Sequence, residues 1–233
     1  MRKRVLLVRH GDDPMDDRVT TFCQLNGLRP DTRRPCLGDS LGEVTEDLAG
    51  VVVFGGIYNA YDVKKHPFLA DEYSIMTRAI DAGIPVLGLC QGAQMLAHLH
   101  GSFAGAPEHG QHEFGYYEIT PTPEGRSFLP GPLHVSQWHF HTFDLPDDAV
   151  HLARSETFEN QAFAIGDRIV GLQFHPEQTV EGFRRWQDMG TDSYTQPGAQ
   201  SREEQTILMH QHDGAQARWF YDFLGGFFGT GAV

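Results

Sequence analysis

The stretch "VLGLCQGAQMLAHLHG", residues 86–101, places a cysteine between two glycines where a short apolar run meets a helical pattern. Its first four residues have the Val and Leu content of a strand buried on both faces. We predict that Cys90 directly follows this strand and that a helix runs from Gly92 to about Leu99. Such a sharp turn leaves no room for side chains two positions away, and Gly88 and Gly92 have none.

Two other apolar runs, "RVLLV" (residues 4–8) and "GVVVF" (residues 50–54), also predict buried strands. A helix that ends at Gly83 is predicted between the second run and the strand before Cys90, because apolar residues recur there at helical spacing. These residues are Leu69, Tyr73, Met76 and Ile80. Strand, helix and strand in succession form a βαβ unit, so the first hundred residues predict a parallel sheet.

The chain from about Glu113 changes to short alternating and aromatic runs. "NQAFAIGDRIVGLQF", residues 160–174, predicts a hairpin with a two-residue turn at Gly166-Asp167. A helix from about Val180 to Met189 and a polar loop over residues 190–204 are predicted next. Four aromatic residues near helical spacing then predict a C-terminal helix that packs on the domain or, if exposed, forms an interface. They are Trp219, Phe220, Phe223 and Phe227.

These elements predict an α/β fold, a mostly parallel, doubly wound sheet with an antiparallel extension. No internal repeat or low-complexity linker divides the 233 residues. We therefore expect a single domain over residues 1–233, with a C-terminal helical extension at about residues 200–229.

The composition excludes several classes of partner. The chain has 18 Lys and Arg against 31 Asp and Glu, a net charge of −13, so we expect no nucleic-acid partner. No apolar stretch approaches the roughly 20 residues of a membrane span, and the N-terminus is unlike a signal peptide. The three cysteines, Cys23, Cys36 and Cys90, are sparse and odd in number, which indicates a reducing compartment. We expect a cytoplasmic protein.

Cys90 has two interpretations. In Gly88-Leu89-Cys90-Gln91-Gly92 the thiol would project at the start of a helix, where the helix dipole favours the attacking thiolate. The other interpretation is a buried structural cysteine, since free cysteine is among the most buried residue types. The pentapeptide alone leaves both open, because short glycine patterns recur by chance.

Two further segments favour a nucleophile. In "GLQFHPEQT", residues 171–179, His175 could serve as the base for Cys90, and Glu177 could orient the imidazole. In "VVVFGGIYNAYD", residues 51–62, a backbone N–H at Gly55-Gly56 could join that of Gln91 in an oxyanion hole. Each segment also has a plain alternative: a lone histidine is usually a surface or core residue, and paired glycines often make only a tight turn.

The segments "VLGLCQGAQMLA", "VVFGG" and "NQAFAIGDRIVGLQFHPE" resemble the class I glutamine amidotransferase domain. The resemblance is greatest to stand-alone proteins similar to the glutaminase domain of GMP synthase, which have a flavodoxin-like architecture. It implies a catalytic triad of Cys90 as nucleophile, His175 as general base and acid, and Glu177 as orienting carboxylate. It also implies oxyanion donors at Gly56 and Gln91. The residues implied to contact the substrate are Gln94, Val135, Ser136, Gln137 and Trp138.

The resemblance implies hydrolysis of glutamine to glutamate and ammonia through a γ-glutamyl thioester, without a cofactor. The chain has no P-loop, and the residues after Glu177 are too few for a synthetase domain. We expect either a separate synthetase subunit or a hydrolase in its own right; a homo-oligomer is also open. Two alternatives remain: a γ-glutamyl peptidase or hydrolase acting on another γ-glutamyl amide, and a non-catalytic binding or redox-sensing protein.

Three positions depart from the family pattern. Ile57 follows the two glycines where relatives commonly have proline, Gln91 replaces a larger apolar or aromatic residue, and His141 stands where aspartate is expected. The chain also has 13 histidines, several of them spaced i, i+2, a spacing that zinc sites use. No cysteine pair or HExxH motif accompanies them, so we expect solvated histidines and no metal site.

Overall fold

The computed structural model describes residues 2–230, which form eleven strands and five α-helices. The strands are β1 (Arg4–Val8), β2 (Arg29–Arg33), β3 (Leu48–Val53), β4 (Val86–Leu89), β5 (Ala104–Gly105), β6 (Glu113–Pro121), β7 (Leu133–His139), β8 (Thr142–Phe143), β9 (Val150–Ser155), β10 (Ala162–Ile165) and β11 (Ile169–Leu172). The helices are α1 (Arg18–Leu25), α2 (Phe68–Asp81), α3 (Gln91–Leu99), α4 (Val180–Met189) and α5 (Arg202–Phe227). Residues 1 and 231–233 of the predicted domain lie outside the described part.

A nine-stranded sheet organises the chain, in the order β2-β1-β3-β4-β11-β10-β9-β6-β7. The first five strands run parallel, and the other four continue the sheet antiparallel. The predicted fold class is therefore confirmed. Because β3, β4 and β11 are parallel neighbours, the segments that follow them meet at one edge of the sheet.

Side chains on both faces of the parallel strands are buried. Leu6 and Val8 of β1 face α2 and α3, whereas Val5 and Leu7 face α1 and α5. Strands covered on both sides by helices read as continuous apolar runs, which is why β1, β3 and β4 could be located from sequence.

Helix α5 packs its aromatic stripe onto the domain. Phe220 is fully buried with Leu224, and Trp219, Phe223 and Phe227 pack against the same cluster. Helix α5 begins at Arg202, inside the predicted loop, and a short 3-10 helix at Thr191–Thr195 precedes it. The side chain of Ser201 caps α5 by accepting the N–H of Glu204, a capping signal that the loop prediction overlooked.

The hairpin of β10 and β11 is confirmed, but the predicted two-residue turn is wrong. Ile165 pairs with Ile169, which leaves Gly166, Asp167 and Arg168 in the turn. Gly166 has a φ of +56°, the positive φ for which a glycine is expected in such a turn. The turn is one residue longer than predicted.

Replacement of Phe220 by alanine tests the packing of α5. We expect the free energy of unfolding to fall by about 3–5 kcal/mol, because the substitution leaves a cavity in the core. Urea denaturation measures this change. Phe103→Ala is the matched control, since Phe103 is 52% exposed and its loss should cost less than about 0.5 kcal/mol. Equal effects of the two substitutions would contradict the packing of α5.

Candidate active site

Cys90 occupies a strained turn between β4 and α3. Its φ of 50° and ψ of −104° make it the one non-glycine residue among residues 2–230 with a positive φ. A backbone conformation of this kind costs on the order of 1–3 kcal/mol and is concentrated at functional sites. The turn is held at both ends, because the N–H of Cys90 donates to the carbonyl oxygen of Leu172 at 2.7 Å and its own carbonyl accepts the N–H of Gln94 at 3.0 Å.

The two flanking glycines allow the helix to approach the sheet. A Cβ at Gly88 would collide with the backbone of Gly92, and a Cβ at Gly92 would collide with the carbonyl oxygen of Val53. The prediction that these positions must lack side chains is confirmed. The sequence between β4 and α3 therefore forms the predicted turn.

The thiol of Cys90 lies in a nearly closed environment. Cys90 is 6% exposed, its Sγ is 3.6 Å from the amide donor Nε2 of Gln173, and the carbonyl oxygen of Trp138 is 4.0 Å away. The sulfur is thus approached by one hydrogen-bond donor from the segment that follows β11.

His175 and Glu177 form a buried pair beside Cys90. Nδ1 of His175 lies 2.8 Å from Oε1 of Glu177, and both residues are almost completely buried. This contact leaves Nε2 of the ring free of Glu177, and the imidazole and Cys90 both lie against Gly55. The fold thus brings together three side chains that lie far apart in the sequence.

The charges around His175 favour its protonated form. Burial by itself lowers the pKa of His175, but the carboxylate of Glu177 and the thiolate of Cys90 outweigh it and raise the pKa from 6.5 to about 10. The neighbouring negative charges therefore favour the imidazolium form of the ring.

The segment that carries His175 is held by its backbone. The N–H of His175 donates to the carbonyl oxygen of Ser136 at 2.8 Å, and the hydroxyl of Ser136 donates back to the carbonyl oxygen of His175 at 2.5 Å. Trp186 of α4 packs edge-on against the imidazole, with ring centroids 4.7 Å apart. The backbone hydrogen bonds hold the segment in place, and the contact with Trp186 restricts the orientation of the imidazole ring.

Helix α5 contacts the same segment through the buried side chain of Gln216 and the mostly buried side chain of Asp213. Oε1 of Gln216 accepts the N–H of Ser136 at 2.6 Å. Asp213 accepts two hydrogen bonds from Arg18, both at 2.7 Å, and Arg18 donates in turn to the carbonyl oxygens of Pro176 and Gln178. The backbone on either side of Glu177 is therefore fixed by a guanidinium on α1 that α5 orients.

The glycines after β3 lie against the Cys90–His175 pair. A Cβ at Gly55 would lie 2.6 Å from Cε1 of His175 and 3.4 Å from Cβ of Cys90. A Cβ at Gly56 would lie 2.6 Å from Oε1 of Gln91. The two positions predicted to supply oxyanion donors, Gly56 and Gln91, are thus adjacent, and the neighbouring Gly55 lies against Cys90.

The residues predicted to contact the substrate lie in different surroundings. Nε2 of Gln94 donates to the carbonyl oxygen of His141 at 3.3 Å and to Oε1 of Gln173 at 3.2 Å. Val135 belongs to the hydrophobic core, and Ser136 contacts the His175 backbone.

The remaining two positions of this group lie further along β7. Gln137 is buried and donates to Oε1 of Gln161 at 2.8 Å, whereas the carbonyl oxygen of Trp138 approaches the sulfur of Cys90. The structure thus brings Gln94 and Trp138 close to the thiol. Their contacts with a substrate, like those of Val135, Ser136 and Gln137, stay predictions.

The histidines have separate environments. His139 pairs with Glu113 at 2.9 Å, and His134 stacks on His212 with ring centroids 4.0 Å apart. His141 stacks on Tyr61, and burial lowers the pKa of His141. Within residues 2–230, no group of three or more histidine, cysteine or acidic side chains is arranged to hold a metal ion.

Several residues near the site were missed in the sequence, among them the polar residues His10, Arg18, Asp213 and Gln216. Each is a single polar residue whose partners are distant in the chain, such as Arg18 and Asp213, which are 195 positions apart. The one available signal was a polar residue next to an apolar stretch of sequence. Gln216, three residues before the first aromatic residue of the stripe, is an example.

Comparisons with known proteins relate this chain to one family. The family model of the class-I glutamine amidotransferases matches residues 30–185, which is more than half of the chain. A glutamine amidotransferase-like protein of Salmonella typhimurium is 30% identical over 152 residues, covering 62% of this chain and 63% of that protein. The glutamine-hydrolysing GMP synthase of Vibrio campbellii is 36% identical over 104 residues, covering 42% of this chain and 20% of that enzyme.

Solved structures match over nearly the whole chain. A glutamine amidotransferase from Thermotoga maritima superposes with a TM-score of 0.87 at 28% identity, covering 98% of this chain and 99% of that one. A glutamine amidotransferase from Methylobacillus flagellatus has a similar fold, with a TM-score of 0.89 at 24% identity, covering 99% and 96% of the two chains.

The fold and the matched family model define the class of protein. The chain belongs to the class I glutamine amidotransferase family, whose members are glutamine-hydrolysing cysteine enzymes. The chain spans less than two thirds of the length of the curated relatives described above. None of its described helices has the length and apolar character needed to cross a lipid bilayer.

The raised pKa of His175 predicts a specific pH dependence. The folded protein holds this proton more tightly than the unfolded chain, so the resulting stabilisation is complete below pH 6.5 and is lost as the pH rises through about 10. Glu177→Gln removes the nearest negative charge, and we expect the NMR signal of the His175 ring to titrate at a lower pH in this variant.

The ring of His212 is an internal reference for this titration, because burial lowers its pKa below 6.5. His175→Gln identifies the signal. An unchanged titration midpoint of His175 in Glu177→Gln would contradict the assigned interaction.

The Arg18–Asp213 pair predicts a loss of stability in Asp213→Asn. The two side chains are only 5% and 13% exposed, and breaking one partner of a buried pair costs on the order of 3–5 kcal/mol. Asp188→Asn is the matched control, because the Asp188–Arg202 pair is 69% and 54% exposed and its loss should cost less than about 1 kcal/mol. Urea denaturation compares the two variants, and equal losses would show that Arg18 does not depend on Asp213.

Proposed function

We propose that this protein hydrolyses the side-chain amide of glutamine to glutamate and ammonia through a γ-glutamyl thioester on Cys90. One observation carries the proposal: a thiol on a strained turn lies beside an imidazole that a buried carboxylate orients. Membership of a family of glutamine-hydrolysing cysteine enzymes supports it.

The first half of the reaction forms the thioester. The thiolate of Cys90 adds to the amide carbon of glutamine, and the N–H groups of Gly56 and Gln91 stabilise the oxyanion that develops on the amide oxygen. The imidazolium of His175 donates its proton to the amide nitrogen, the carbon–nitrogen bond breaks, and ammonia leaves. His175 is then neutral, and the γ-glutamyl group is bound to sulfur.

The second half releases glutamate. Neutral His175 accepts a proton from water, and the resulting hydroxide adds to the thioester carbon. The carbon–sulfur bond breaks, and Cys90 leaves as a thiolate next to the restored imidazolium. Glu177 keeps Nδ1 of His175 as a donor throughout, so that the same nitrogen, Nε2, acts in both halves. Gln94 and Trp138 are the residues we expect to contact bound glutamine.

A second substrate class fits the same residues. Ile57, which follows Gly56, is 90% exposed and so leaves one side of this loop open to solvent. This open side could admit a γ-glutamyl amide with a leaving group larger than ammonia. Hydrolysis of such an amide is the alternative reaction of the proposed triad.

The acceptor of the ammonia is part of the proposal. Several curated relatives are named glutamine-hydrolysing GMP synthases, and this chain covers only 20–26% of their length. A separate synthetase subunit is therefore one candidate acceptor, and release of free ammonia by a hydrolase is the other.

The three cysteines are free, which supports a reducing, cytoplasmic location.

Covalent labelling with the diazoketone analogue of glutamine tests the proposed glutamine site without a partner subunit. We expect mass spectrometry to find the label on Cys90 alone, with free glutamine blocking it and Cys90→Ala abolishing it. The other cysteines are internal controls, because burial raises the pKa of Cys23 to about 12 and also raises the pKa of Cys36.

The result distinguishes the three interpretations of the chain. Labelling of Cys90 that glutamine does not block, together with glutamate release from γ-glutamyl p-nitroanilide but not from glutamine, would favour the alternative substrate class. Absence of labelling and of glutamate release from either compound would contradict an enzymatic role.

A further inference from the structure

A buried histidine outside the triad contacts the loop that carries Gly56. Nδ1 of His10 lies 3.0 Å from the carbonyl oxygen of Gly55. A carbonyl oxygen can only accept, so Nδ1 carries a proton and donates this hydrogen bond. His10 lies two residues after the end of β1, and its side chain is 1% exposed.

The hydrogen bond fixes the direction of the next N–H group. The carbonyl of Gly55 and the N–H of Gly56 belong to one peptide, and no peptide bond among residues 2–230 is cis. In a trans peptide these two groups point in opposite directions. Because His10 holds the carbonyl, the N–H of Gly56 points away from His10. The Cys90–His175 pair packs against Gly55, because a Cβ there would lie 2.6 Å from Cε1 of His175 and 3.4 Å from Cβ of Cys90.

Gln91 completes a closed ring of contacts around the loop. Its Oε1 accepts the N–H of Tyr58 at 2.9 Å, and its Nε2 lies 3.0 Å from Nε2 of His10. The loop is therefore held at two backbone positions, the carbonyl of Gly55 and the N–H of Tyr58, by two side chains that contact each other. Ile57, between these positions, is 90% exposed and contributes little packing.

Glu72 of α2 fixes the ring of His10. Its Oε2 lies 2.9 Å from Nε2 of His10, and both side chains are fully shielded from solvent. Such a pair is expensive to bury, so its position beside the loop calls for a role there. Two departures from the family pattern thus lie next to each other, because the side chain of Gln91 binds the N–H of the residue that follows Ile57.

We infer that His10 and Gln91 are positioning residues that hold the Gly55–Gly56 peptide with its N–H directed at the reacting carbonyl oxygen. This inference rests on the proposed function, since it concerns the oxyanion formed during amide hydrolysis. Gln91 then acts twice, through its backbone N–H as an oxyanion donor and through its side chain as a support for the second donor.

The test compares amide hydrolysis with a reaction of Cys90 that builds no oxyanion. Hydrolysis is followed as glutamate release from glutamine and from γ-glutamyl p-nitroanilide, and thiol reactivity as the rate of alkylation of Cys90 by iodoacetamide. His10→Phe removes the donor while keeping a ring. We expect kcat for hydrolysis to fall by about 10²-fold, the effect of losing one oxyanion donor, while the alkylation rate stays within about twofold.

Three other variants separate positioning from general disruption. His10→Asn keeps an N–H donor near the Nδ1 position and should recover most of the lost kcat. Gln91→Leu keeps the backbone N–H of residue 91 but removes the contacts of its side chain with His10 and Tyr58, and we expect an intermediate loss of kcat. If His10→Phe does not fold, Gln91→Leu replaces it in the test. His210→Phe is the matched control, because His210 is exposed on α5 and its replacement should change neither rate.

Each outcome has a separate meaning. Unchanged hydrolysis in His10→Phe and Gln91→Leu, or a parallel loss of hydrolysis and alkylation, would overturn the inference and leave the proposed function standing. Wild-type protein that is alkylated at Cys90 but hydrolyses neither amide would contradict the proposed function, and the inference with it.

Discussion

The close contact between the start of α3 and the ends of β3 and β4 is the constraint on which the site depends. It forces Cys90 into a positive φ and requires glycine at both Gly88 and Gly92. The strain is compensated by the hydrogen bond from Cys90 to Leu172, which ties the turn to β11. Since the segment after β11 carries His175, the same contact aligns nucleophile and imidazole.

Support for the site comes from both ends of the chain. His10 follows the first strand and holds the Gly55 carbonyl, whereas Arg18 on α1 holds the segment around Glu177. Helix α5 lies beyond the part matched by the family model, yet Asp213 orients Arg18 and Gln216 braces the strand next to His175. The C-terminal helix is therefore part of the structure that positions the triad, as well as a cover for the core.

The sequence was informative wherever neighbouring residues decide the structure. Strand β1 and helix α4 have the predicted bounds, because a buried parallel strand and a capped amphipathic helix carry local patterns. The positions of Cys90, His175 and Glu177 followed from motifs at strand ends. His10 and Gln216 could not be found in this way, because their roles arise from contacts with residues 45 and 80 positions away. The start of α5 was missed for a simpler reason, since its Ser201 cap lies in a polar stretch that resembles a loop.

The central claim is that Cys90 forms a covalent γ-glutamyl intermediate, and acid-quench mass spectrometry of the protein mixed with glutamine tests it most directly. The account predicts a γ-glutamyl adduct on the peptide that contains Cys90, formed together with an equal amount of ammonia in the first turnover. Release of glutamate without this adduct, or at an undiminished rate from Cys90→Ala protein, would contradict it.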